Sequence, residues 1–413
     1  MLVIVHFCDV ATFGQFSLTV SVVLAVIQIC DCRIWETLTK FLPVFSKDDS
    51  PNSQSGLIQL CVLADSIAGL IAFAVLLSLS PLISALFANG GLEAQWIRLM
   101  APLALLTLFQ EPLLAFFRVT ERFHYQTAFR TVLAPVRLLV SFIAVMIDPS
   151  VEALLIAELI TRSLGFVGLS TCGWVLMRRE KIHPIGVRMI RDLGDQLPVV
   201  GKYMLLGNFV GNMRFISARA DTLVLGVFTS PEIVAVYEIA KRVVEQVSGL
   251  AGALYMAVFP EISRLVAQGQ HEEVRRLRWN ISRSILVTIV PACVLGTLIA
   301  PYVIPAVFGP EYVDSVPLFQ VLIWQLLWLV FVWFSGWVLA YGYARAAFLC
   351  SLVETLLLIA MLLAFVPIYG AMGAAFAMVV RSLVWMILAG TVTRMGDSKQ
   401  RSVALAPVSS GHR

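Results

Sequence analysis

Apolar stretches of about twenty residues, the length a helix needs to cross a hydrocarbon core of about 30 Å, recur through this chain from end to end. They fall at 13–34, 57–80, 96–117, 130–147, 151–177, 199–227, 233–259, 284–307, 315–340, 345–366 and 371–392. In lipid, backbone N–H and C=O groups must be satisfied within the protein, and a helix does that segment by segment. The spacing therefore predicts an all-α integral membrane protein with about eleven transmembrane helices, residues 1–8 reading as the tail of a truncated first one. Composition agrees: 59% of the 413 residues are hydrophobic and 14% are charged, against about 25% charged in soluble domains. Mean hydropathy is +0.87.

Charge placement orients the spans. Take the 34–57 loop as cytoplasmic and count every second loop from it. Those loops and the C-terminal tail carry about twenty Lys and Arg, and the opposite loops (8–13, 88–95, 148–151, 229–232, 308–314 and 367–370) carry none. This is the positive-inside pattern. It predicts a multi-pass protein of the cell inner (plasma) membrane with a cytoplasmic C-terminus. Residues 260–283 alternate apolar and charged positions and are expected to form a helix lying at the cytoplasmic interface.

The two halves resemble each other at an offset of about 220 residues. Phe7-to-Phe16 lies over Phe228-to-Tyr237, Pro81-LISALF over Pro301-YVIPAVF, Ala128-Phe129 over Ala347-Phe348, and Arg162-Ser163-Leu164 over Arg381-Ser382-Leu383. Equivalent helices point the same way, so the repeats are parallel, two pseudo-repeated six-helix lobes about an axis along the membrane normal. The expected organisation is an N-terminal transmembrane lobe at 1–180 and a basic cytoplasmic linker at 181–198. A C-terminal transmembrane lobe at 199–392 and a disordered cytoplasmic tail at 393–413 complete it. The first half has no counterpart of 199–222, so most of a first helix is expected to be missing.

Ionisable groups inside spans define the candidate site. Each costs an inserting helix about 2.5–3.5 kcal/mol near the bilayer centre, so each needs a partner or a wet cavity. On 199–227, Asn208, Asn212 and Arg219 share one helical face, and Arg214 and Asp221 share another. On 233–259, Glu238, Lys241, Arg242 and Glu245 form one polar stripe. Arg214, Arg219, Asp221, Lys241, Arg242 and Glu245 are the expected binding set, because Arg and Lys suit a phosphate-bearing head group. The competing reading is a set of salt bridges that only tie helices together. Asn208, Asn212, Glu238, Arg137, Arg162, Arg381 and Glu354 are further cavity or coupling candidates. Glu158 and Arg162 are spaced to neutralise each other. Arg381 repeats Arg162 without that acid, and Glu354 reads as an isolated buried carboxylate.

Catalytic chemistry finds no support. There is no Gly-rich phosphate loop, HExxH or GxSxG, and the five histidines are scattered. The seven cysteines all fall in apolar segments and read as small buried hydrophobes. No cofactor, metal or nucleic-acid partner is expected, and the chain is not read as an enzyme.

Three runs carry a family resemblance: R-x-D-T-L-V-L-G-V-F-x-S-P-E-I-V-A-V-Y from Arg219, A-V-F-P-E-I-S-R-L at 257–265, and V-F-G-P-E-Y at 307–312. F-G-Q-F-S-L at 13–18 and F-L-P at 41–43 match in the first half. The chain resembles the polysaccharide (O-antigen-type) flippases of the multidrug/oligosaccharidyl-lipid/polysaccharide (MOP) exporter superfamily. The resemblance implies two six-helix lobes around a central cavity. It also implies transfer of undecaprenyl-pyrophosphate-linked oligosaccharide between leaflets by alternating access, driven by ion gradients or membrane potential. Implied partners are the lipid-linked oligosaccharide, membrane lipids, H+ or Na+, and a polysaccharide polymerase. The alternative is a multidrug/cation antiporter of the same superfamily, which is expected to have a mostly acidic cavity. A membrane polymerase or transferase would need a long extracytoplasmic loop, and every loop on that side is short.

Overall fold

The computed structural model describes residues 2–31, 34, 37–38, 41–42, 45, 51–106, 112–113, 116–117, 122–179 and 188–405. Side chains at some of these positions, among them Asn208, Asn212 and Arg214, fall outside the description. The described residues contain helices and no strand. Seven helical stretches among them are long and apolar enough to cross a membrane.

The first compact unit is Met1–Val236. It contains α1 (Leu2–Phe7), α2 (Val10–Cys30), α3 (Pro51–Ser78), α4 (Ser80–Leu86), α5 (Ala94–Met100), α6 (Pro102–Leu106), α7 (Phe123–Ile147), α8 (Val151–Arg179) and α9 (Leu197–Phe228). The short α4 follows a stop at Ser78, and Pro81 stands in its first turn, where its missing N–H would be unbonded anyway. Pro102 separates α5 from α6 in the same way. The core of this unit gathers Ile34, Leu38, Leu57, Phe116, Phe117 and Met177.

The first unit ends later than the linker at 181–198 because α9 packs on α2 and the 3-10 stretch Arg188–Gln196 packs on α3. The close approach of α2 to α9 and to the start of the next helix at Pro231 depends on missing side chains. A Cβ on Gly14 would meet the Pro231 carbonyl oxygen at 1.9 Å, and one on Gly226 would meet Leu18 at 2.3 Å. The Asn89 amide donates to the Val227 carbonyl at 2.9 Å. The segments that meet, 7–16 and 228–237, are the two that the repeat aligns with each other.

The second unit is Tyr237–Arg413. It takes most of α10 (Pro231–Ser248), then α11 (Leu250–Ala267), α12 (His271–Phe308), α13 (Ser315–Leu322), a tight 3-10 stretch Ile323–Phe331, α14 (Phe334–Ala340) and α15 (Ala344–Leu405). Gly370, at φ +56, divides α15 into two legs. Gly373 then lies so near the Phe365 carbonyl that a Cβ would come within 2.5 Å, so the second leg starts back against the first. Trp333, Phe334 and Trp337 pack with Ile262, Leu265 and Val274 as an aromatic core.

Two expectations change. The helix expected along 260–283 is two helices, broken at Gly269 with φ +71. Beyond that break no residue interrupts helical bonding before the apolar run, so α12 continues straight from its charged start into the span. Its 38 residues measure about 57 Å, well beyond the hydrocarbon core. The final helix also runs past 392 to Leu405, into the segment expected as tail. Large apolar side chains such as Ile147, Leu138, Leu298 and Ile387 are exposed, as helices that face lipid require.

Candidate functional site

Four sets of ionisable side chains within the described spans bear on the expected site residues. The first is on α7 and α8. Glu158 lies one turn before Arg162 on α8, so their side chains share a face, and Arg162 Nε donates to Glu158 Oε1 at 2.7 Å. Arg137 of α7 donates through Nη2 to Glu158 Oε2 at 2.8 Å. One carboxylate, 4% exposed, thus holds two guanidiniums whose side chains are 56% and 36% exposed. The sequence placed these three residues in spans and expected only the Glu158–Arg162 pair. Arg137 was missed as a partner because helix pairing across α7 and α8 is a tertiary fact.

The second set is on α9, in the first unit. Asp221 is fully buried and accepts the Thr222 backbone N–H at 2.8 Å. Arg219 is partly exposed, and no ion pair with it is described among the described residues. Asn208, Asn212 and Arg214 are carried by the same helix, with their side chains outside the described residues.

The third set is the α10 stripe, in the second unit. Arg242 Nε donates to Glu238 Oε2 at 3.1 Å, and Lys241 Nζ lies 3.9 Å from Glu245. Two acids balance two bases, and Glu238 and Lys241 are almost wholly buried. The polar stripe expected to contribute to the binding set thus pairs its acids with its bases. The six expected binding residues are also divided between units, with Arg214, Arg219 and Asp221 in the first and Lys241, Arg242 and Glu245 in the second.

The fourth set joins the legs of α15. Arg381 Nε lies 3.6 Å from Glu354 Oε1, an ion-pair distance longer than a hydrogen bond. Glu354 is thus not the isolated carboxylate the sequence implied. The acid that Arg381 lacks at Ala377 comes from the other leg.

One pair had no sequence signal. Arg278 of α12 donates through Nη2 to both carboxylate oxygens of Asp397 on α15, at 3.0 and 2.7 Å. Arg278 is 5% exposed, and its guanidinium carbon lies 5.0 Å from the Trp333 ring centroid and 5.3 Å from that of Trp337. Gly396 makes room, since a Cβ there would strike Trp337 at 2.6 Å. Its residues lie 119 apart in the chain, so no local pattern marks them. Among the described residues no cluster of metal-ligating side chains is found.

A bundle of membrane-crossing helices with ion-paired polar groups inside its spans defines a polytopic membrane protein. A family model described as polysaccharide biosynthesis protein matches residues 12–317, well over half of the chain, and the chain belongs to that family. No curated protein matches it. Among solved structures it is similar to a multidrug resistance MATE family transporter of the MOP superfamily in an inward-facing conformation. That match has a TM-score of 0.80 and 13% identity, over 97% of this chain and 96% of the other. It is also similar to the lipid II flippase MurJ in an inward closed conformation, with TM-score 0.69 and 12% identity over 93% and 87% of the two chains. A MOP superfamily transporter from Pyrococcus furiosus matches with TM-score 0.65 and 13% identity over 95% and 88%. The fold is the one that these two transporters and this flippase share.

Proposed function

We propose that this protein moves a polyprenyl-pyrophosphate-linked oligosaccharide from the cytoplasmic to the outer leaflet of the inner membrane, for cell-surface polysaccharide synthesis. The observation that carries this reading is Arg219. It stands nine residues before the end of α9, about 13 Å along the helix, and so near the middle of a core about 30 Å thick. The guanidinium there is partly exposed and has no ion-pair partner among the described side chains. Such a group is expensive in hydrocarbon and useful in a wet path that an anion must traverse. Family membership supports polysaccharide synthesis as the setting. Arg214 and Asp221 on α9 are proposed to act with it, and Lys241, Arg242 and Glu245 on α10 are proposed as binding residues of the second unit; Asn208, Asn212 and Glu238 are carried by the same two helices. The one-sided distribution of basic loops supports a cytoplasmic C-terminus. A proton or sodium gradient is the proposed drive, and a polysaccharide polymerase the proposed downstream partner.

The test is complementation of a flippase-deficient host with Arg219→Gln. Surface polysaccharide is expected to fall to background while the protein remains in the membrane at normal abundance. Normal polysaccharide would remove the reading. Normal polysaccharide together with a loss of drug resistance would favour the multidrug antiporter.

A further inference from the structure

We propose that Arg137 and Arg162, held on Glu158, form an anion-binding fork for the phosphate-bearing end of the transported molecule, and that the equivalent place in the second unit does not. This rests on the transport reading above.

The charge count is the first argument. Two guanidiniums share one carboxylate, which leaves one positive charge over. Each arginine gives Glu158 a single N–H, from Arg137 Nη2 and from Arg162 Nε. The remaining N–H groups of both are available to phosphate oxygens, for which the planar guanidinium is well shaped. Glu158 is buried and anchors the fork, whereas both arginines are open on their outer sides.

Depth is the second argument. Arg137 stands ten residues before the end of α7 at Ile147, and Arg162 eleven residues after the start of α8 at Val151. Both are therefore about 15 Å from the same end of the bundle, half of a core of about 30 Å. A surplus cation at that depth is expensive against lipid tails. Water or an anion beside it offsets that cost. The phosphates of the surrounding lipids lie at the leaflet surfaces, so an anion at mid-depth has to be brought there. A mono- or diphosphate ester in transit is the chemistry that fits.

The repeat supplies an internal control. Arg162-Ser163-Leu164 corresponds to Arg381-Ser382-Leu383. Arg381 faces one acid, Glu354, at 3.6 Å, and both side chains are less than one-fifth exposed. The contact there sets one base against one acid and leaves little open surface.

The test uses the full chain in lipid nanodiscs, titrated separately with inorganic pyrophosphate and with farnesyl pyrophosphate and read by intrinsic tryptophan fluorescence. Farnesyl pyrophosphate is expected to bind, and Arg137→Gln with Arg162→Gln to weaken it by about tenfold or more. Arg381→Gln is expected to change it by no more than about twofold. Should the double variant fail to fold, Arg137→Lys with Arg162→Lys keeps the charge but loses the planar donors, and is expected to weaken binding by a smaller factor. Unchanged binding in these arginine variants overturns the fork and leaves the flippase reading standing. Equal affinity for inorganic pyrophosphate supports the fork but assigns its anion to a free phosphate, which tells against a lipid carrier. Absence of wild-type binding to either probe overturns the fork.

Discussion

Arg162 in the first unit and Arg278 in the second are both arginines that bond a carboxylate, but they are used in opposite ways. Arg162 shares Glu158 with Arg137, and both arginines keep open faces. Arg278 is enclosed between Trp333 and Trp337 and gives its charge to Asp397 on another helix. Arg381, the repeat counterpart of Arg162, follows the second pattern with Glu354. The Arg137–Arg162 pair presents charge, whereas Arg278 and Arg381 use theirs in joining helices or helix legs. Repeated sequence therefore does not mean repeated electrostatics. Moving one acid from its own helix to a neighbour changes a site into a brace.

The largest expected effect tests the brace. Asp397→Ala leaves Arg278 buried without a counter-ion, and stability is expected to fall by about 3–5 kcal/mol, the usual cost of stripping one partner from a buried pair. A thermal melt in detergent measures it, and an unchanged melting temperature would break the contrast. Glu158→Ala comes next. Its two arginines remain partly solvated, so about 2–3 kcal/mol is expected, below the range for a buried pair. A loss larger than that of Asp397→Ala would reverse the ordering of the two units. Glu354→Gln removes charge from a longer contact and is expected to cost about 1 kcal/mol, with surface polysaccharide unchanged in the complementation assay. Loss of polysaccharide there would make the Glu354–Arg381 pair a site as well.

The smallest effect is at the surface. The Arg264 guanidinium bonds Glu261 and holds its carboxyl below the ordinary carboxylate range. A carboxylate lowered in this way stabilises above its unfolded pKa and loses that contribution as pH falls through the lowered value. The pair is fully exposed, so water and salt screen it. Glu261→Gln is expected to leave the melting temperature within replicate error at pH 7 and at pH 4. A shift at pH 7 that vanishes at pH 4 would show that exposed pairs also brace the second unit.

Much of the architecture was legible from the residues. Every one of the eleven apolar stretches carries helix, because continuous apolar runs leave the backbone no other local way to satisfy its hydrogen bonds in lipid. The i,i+4 pairs Glu158–Arg162 and Glu238–Arg242 were readable for the same local reason. The Arg137, Glu354 and Asp397 contacts were not, since each joins residues on different helices or helix legs. Nor did hydropathy mark the break at Gly269, where one positive-φ glycine divides an amphipathic stretch that otherwise reads as continuous.

By itself the sequence determined that this chain is a bundle of membrane-crossing helices with ionisable groups at mid-depth, because span length and periodicity are properties of each segment alone. Only the tertiary structure decided which of those groups are neutralised. It also decided that α9 packs with the first unit rather than with its own repeat. The reason is physical. Charge balance and close backbone approach depend on which helices become neighbours, and at Gly14 and Gly226 that choice rests on side chains that are absent.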